Sequence, residues 1–123
     1  MSYVTGFVIP VPADNKAAYV RMCERTATFF EEHGATRSVE CWGERVPDGK
    51  VTDFRRAVRA EPGERIVFGW VEWPDRDTCE AAEAKMRDDE RMRSENDPPF
   101  DGGRMIWGGF EIVLDSRSAT AEA

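Results

Sequence analysis

Apolar and polar positions alternate over residues 3–9 (YVTGFVI), which predicts a first β-strand. Pro10 and Pro12 are expected to end it, because proline cannot donate to a ladder. Asp14 is a candidate N-cap for a helix reaching about Glu32. Along that stretch Tyr19, Cys23, Ala27 and Phe30 recur at helical spacing, with Met22 and Thr26 beside them, and Gly34 suits a left-handed C-cap. A second strand is expected over 35–44. Pro47-Asp48-Gly49 marks a turn, no period assigns residues 51–60, and Pro62-Gly63 marks another turn. Residues 65–73, dense in β-branched and aromatic side chains, predict the third strand, broken at Pro74-Asp75. Asp77 with Glu80 resembles a capping box for a second helix with Cys79, Ala82 and Met86 as its apolar stripe. A polar loop over 94–103 leads to a last strand over 104–114, in which Gly108-Gly109 suggests a bulge.

Strand, helix, two strands, helix, strand is the βαββαβ order of an α+β ferredoxin-like α-β plait. Right-handed crossovers put both helices on one face of a four-stranded antiparallel sheet and leave the other face uncovered. Residues 1–115 form the expected single domain, followed by a frayed tail over 116–123. Side chains alternate across a strand, so parity divides each strand between the two faces. The small set Val4, Gly6, Val8, Val39, Cys41, Gly43, Val67, Gly69 and Val71 is assigned to the helix side. Tyr3, Thr5, Phe7, Glu40, Trp42, Phe68, Trp70 and Glu72 are assigned to the uncovered face, joined by Met105 and Trp107. A wet aromatic patch of that size is unusual on a monomer, so a second copy is expected to cover it.

Composition narrows the chemistry. The 123-residue chain carries a formal net charge of −7, and an acidic chain lacks the counterion-release term that drives nucleic-acid binding. Arg55, Arg56 and Arg59 cluster, but Asp53, Glu61 and Glu64 surround them, which reads as a solvated mixed-charge surface. The chain opens without a basic leader and holds no apolar run long enough to cross a bilayer, so a cytoplasmic protein without membrane attachment is expected. Cys23, Cys41 and Cys79 are widely spaced and His33 is the lone histidine, so neither a metal constellation nor any cofactor is expected. The cysteines read as small hydrophobes, and His33 as a cation at a helix C-terminus.

Three segments, VECWGERVPDGKVTDFRRAV (39–58), IVFGWVEWP (66–74) and PFDGGRMIWGGFE (99–111), together with VPADNKAAY (11–19), carry a family resemblance. The chain is similar along nearly its whole length to the YbaA-like family, domain of unknown function 1428. The resemblance implies a ferredoxin-like plait of the dimeric α/β barrel group. It carries over no catalytic residue, because the family has no established activity. Glu90 stands where a proline is usual, Gly103 where lysine is usual and Trp107 where tyrosine is usual. The absent lysine matters if that loop binds an anion.

Three functions compete. The first is a small-molecule binder or cofactor-free enzyme using a cavity of the dimeric barrel, by fold-level analogy. Its candidate ligand-binding residues are Glu40, Trp42, Asp53, Trp70, Glu72, Asp101, Arg104 and Trp107, with Asp101 also readable as a turn residue. Glu40 and Glu72 are the polar handles, and pairing with an arginine such as Arg104 is preferred over a catalytic role. No nucleophile–base pair, phosphate loop or metal motif accompanies them. The second is a homodimer whose aromatic face is only its glue. The third is RNA binding, since residues 68–73 (FGWVEW) approach the aromatic half of an RNA-recognition octamer. Ile66 and Val67 stand where a basic residue and glycine belong, and the acidic charge opposes it.

Overall fold

The computed structural model describes residues 2–89 and 98–117. Four strands, β1 (Tyr3–Pro12), β2 (Arg37–Trp42), β3 (Glu64–Trp73) and β4 (Ile106–Glu111), form one antiparallel sheet in the order β2-β3-β1-β4. Helices α1 (Lys16–Glu32) and α3 (Arg76–Asp88) connect them in βαββαβ order, the ferredoxin-like plait. A short helix α2 (Phe54–Ala57) lies in the stretch that showed no period. Both long helices pack on one sheet face, where Ile9, Val11, Val67, Val71 and Trp73 meet Tyr19 of α1 and Cys79 and Ala82 of α3.

Several boundaries move for local reasons. β1 does not stop at Pro10. Its register with β3 runs on through Pro10↔Ile66 and Pro12↔Glu64, whereas β4 reaches only Val8. Both prolines thus stand where β1 is an edge, and a missing donor costs no ladder bond. Asp14 does not cap α1. A 3-10 turn (Ala13–Asn15) intervenes, and the Asn15 amide donates to the Pro99 carbonyl at 3.0 Å. At the other end Gly34 (φ 103°) takes the left-handed conformation. Gly34 N–H donates to the Glu31 carbonyl and Ala35 N–H to that of Phe30, a Schellman closure. The cap of α3 is Asp75 rather than Asp77, because the extended residue leaving β3 already accepts from the Thr78 N–H at 2.8 Å. Strand β4 starts after a 3-10 turn (Gly102–Arg104) and pairs without a bulge through Gly6↔Gly108 and Thr5↔Gly109. Glu90 and the end of the tail lie outside the described residues.

Register corrects half of the parity assignment. In β3, Phe68, Trp70 and Glu72 do face away from the helices. Opposite them stand Val8, Gly6 and Val4 of β1, and Cys41, Val39 and Arg37 of β2. Tyr3, Thr5, Phe7, Glu40 and Trp42 therefore lie on the helix side, aligned with Trp73, Val71, Gly69 and Val67. Met105 packs against the main core, and Trp107, opposite Phe7, belongs by register to the helix side while remaining 62% exposed on edge strand β4.

Candidate functional site

On the helix-free face the sheet forms a groove of about 630 Å³. Gly6 and Gly108, neighbours across β1 and β4, form its floor, and the Phe110 ring lies over both. Val4, Val8, Phe68, Trp70, Ile106 and Ile112 complete its walls, and no lining residue is titratable. Phe68, Ile106 and Phe110 remain 44–59% exposed, a contiguous apolar surface that water covers in a single copy. The charges stand at the rim. Glu72 accepts from Trp70 Nε1 at 2.9 Å and faces Arg37 at 3.7 Å and Arg117 at 3.9 Å.

The segment between β2 and β3 folds over one end of this face. Val58 (1% exposed) packs on Val8 and Ile66 with Val46 and Ala60, a second small core apart from the main one. Asp53 shapes the segment, its carboxylate accepting from Arg56 N–H at 2.7 Å and Gly49 N–H at 3.1 Å. These backbone donors hold the Asp53 carboxyl below the usual range. Arg104 clasps the far side, its guanidinium donating to both Glu64 oxygens at 2.7 and 2.6 Å, to Asp101 at 3.0 Å and to the Arg59 carbonyl at 2.9 Å. That fork pushes the Glu64 carboxyl down, chiefly through the Arg104 hydrogen bonds. Arg55, read as solvated, instead donates to the Glu64 and Glu61 carbonyls. Gly103 N–H is already bonded to the Asp101 carboxylate, which places a negative group at this loop.

A third polar group sits beneath α1. The Tyr19 hydroxyl donates to Glu40 at 2.8 Å. Burial raises the pKa of Tyr19, pushes the Cys23 thiol up to about 12 and raises Glu40, with Glu40's charge adding to the first two. Glu40 as a whole is exposed at the sheet edge, so solvent screening tempers the energetic weight of its shift. Cys79 is likewise raised by burial, and its thiol lies 3.3 Å from Thr5 Oγ1. Cys23 and Cys79 are thus thiols, not thiolate nucleophiles, at neutral pH.

The eight sequence candidates fall into separate places. Trp70 lines the groove and Glu72 marks its rim, while Trp107 borders the groove from edge strand β4 with its side chain on the helix side by register. Glu40 and Trp42 lie on the opposite face, where Trp42 sits beneath Lys16 Nζ at 5.4 Å. Asp53 caps α2, while Asp101 and Arg104 belong to the clasp. The expected pairing of Glu40 or Glu72 with Arg104 is replaced by Glu64–Arg104. Gly6, Phe110 and Ile106 line the groove but are not among the sequence candidates. Their signal was present in β1: continuing the alternation to Val11 would have shown the odd positions to be the longer apolar series. Among the described residues no cluster of His, Cys, Asp and Glu suits a metal, and no helix is long and apolar enough to cross a membrane.

A family model described as "Protein of unknown function (DUF1428)" matches residues 2–102. "Uncharacterized protein YbaA" of Escherichia coli (strain K12) is 54% identical over 116 residues, 94% of this chain and 99% of that one. A protein of the same description from Shigella flexneri matches with the same figures. Residues 99–111 supply Asp101 and Arg104 of the clasp, the turn before β4 and Gly108 of the groove floor. The chain belongs to the DUF1428 family.

Proposed function

We propose that two copies of this chain pair through their helix-free faces and bind a small, mostly apolar molecule in the chamber between them. The observation that carries this reading is the groove of about 630 Å³ with non-titratable walls on an otherwise uncovered sheet face. Its volume falls within the range of small-molecule sites, which are concave and mostly apolar with few polar groups. Pairing also removes Phe68, Ile106 and Phe110 from water, and since each is already about half buried, each contributes about half of the 1.5–3 kcal/mol typical of full burial.

Binding is favoured over catalysis. A general acid or base needs a titratable group within reach of the reacting atoms. The carboxylate at the rim, Glu72, is held by Trp70 and faced by two arginines. RNA binding loses further ground, because stacking platforms for single strands work beside a basic groove and these walls carry no lysine or arginine. A homodimer without ligand is the second reading, favoured by the exposure of Phe110 and Ile106, which suits dry packing.

Trp70 lines the groove and reports on its contents. Titrating the protein with a panel of neutral and weakly polar metabolites should shift tryptophan emission for at least one class, and Trp70→Phe should reduce that signal. If no compound in a broad panel shifts the emission or the melting temperature, the ligand-free dimer replaces this reading.

A further inference from the structure

We infer that residues 43–63 close one end of the groove and that Phe54 sets the length of the flat, uncharged aromatic molecule it admits. The inference rests on the reading of the groove as a ligand site. Phe54 is the first residue of α2, placed there by the Asp53 cap. Its ring meets Phe68 edge-on, with centroids 6.1 Å apart and planes at 77°. Phe68 in turn tilts against Trp70 at 5.9 Å. The three rings touch in succession, and the latter two line the groove, so Phe54 extends the aromatic wall beyond the lining residues on the side of the 43–63 segment.

Phe54 is 47% exposed, and Val58 rather than Phe54 anchors the segment on the sheet. Its aromatic ring is therefore not demanded by the fold. The segment beneath it is fixed. Arg55 holds the Glu61 and Glu64 carbonyls, Arg65 the Gly43 carbonyl, and Arg104 the Arg59 carbonyl. A wall held at both ends measures a ligand, whereas a loose loop yields to it. Rings arranged edge to face favour a flat aromatic guest. A charged guest finds no counter-charge among lining residues that carry no titratable group, and losing its water there is costly.

The test uses the full chain and three fluorescent probes. N-phenyl-1-naphthylamine is compact and uncharged, its 8-sulfonate analogue is anionic, and Nile red is uncharged but longer. Wild type should bind the uncharged naphthylamine more tightly than the sulfonate by about tenfold. Phe54→Ala should shift the ratio of Nile red to naphthylamine affinity upward by about fivefold, and Phe54→Trp should shift it downward. Unchanged ratios in both variants, with wild type binding the naphthylamine, would overturn the role of Phe54 and leave the groove reading standing. Equal binding of the sulfonate would overturn the uncharged-ligand claim. No probe binding by wild type would overturn both inference and reading. Should Phe54→Ala not fold, the ratio measured on Phe54→Trp decides.

Discussion

Glu64 is 8% exposed, yet it carries a charge, and the protein tolerates this because Arg104 meets both of its oxygens. Glu61 N–H donates to it as well, at 2.6 Å. Such a pair is weak evidence of net stability, but breaking it strands a charge. Glu64→Gln should therefore lower the unfolding free energy by about 3 kcal/mol at pH 7. The sign of its pH dependence follows from the depressed carboxyl. In the unfolded chain a glutamate titrates at about 4.3, and the clasp holds it lower in the folded one. Its contribution is fully present above the unfolded value and is lost as pH falls through the folded one. Denaturant unfolding of wild type and variant from pH 7 to pH 3 should show their difference shrinking in acid. A difference that stays constant or grows would contradict the clasp.

At the scale of elements, the third strand was the most legible part of the chain, because its β-branched and aromatic density and its parity agree. The first strand was legible only in part. Ending it at Pro10 hides Val11, and with that the row Phe7, Ile9, Val11 that meets the helices. Prolines disrupt a strand only where its donors are needed, and the sequence does not reveal that β4 falls short of them. In β2 the alternation misleads for another reason. Glu40 turns toward α1 because Tyr19 offers it a hydroxyl there, a partner 21 positions away. Helix α2 was illegible, since a four-residue helix has no period to read and is made by the Asp53 cap and distant arginine-to-carbonyl bonds.

Gly69 shows how closely these elements meet. A Cβ at that position would lie 2.5 Å from the Phe7 ring and 2.8 Å from the Val39 carbonyl oxygen, on strands to either side. The ring has the core behind it and the carbonyl belongs to the backbone of β2, so neither yields easily. Gly69→Ala should destabilise the fold by about 2–3 kcal/mol, the cost typical of overpacking. Thermal unfolding followed by far-UV circular dichroism measures this, and an unchanged midpoint would contradict the assigned register between β1, β2 and β3.

For the whole molecule, the two sheet faces have different fates. One is covered by α1 and α3, and the other is covered at one end by residues 43–63 and elsewhere left as an apolar groove. The net charge of −7 works against association in general, which leaves the groove face, apolar with mixed charges at its rim, as the surface suited to a second copy. Trp70 sits at its centre with its indole N–H bonded to Glu72 and makes no contribution to the core clusters. Light scattering coupled to size exclusion tests this most directly, with wild type and Trp70→Glu run side by side at micromolar concentrations. The account predicts twice the 14.0 kDa chain mass for wild type, and a folded Trp70→Glu variant shifted toward the single-chain mass. A wild-type mass of one chain across a wide dilution range would contradict it, as would a Trp70→Glu variant that stays fully dimeric.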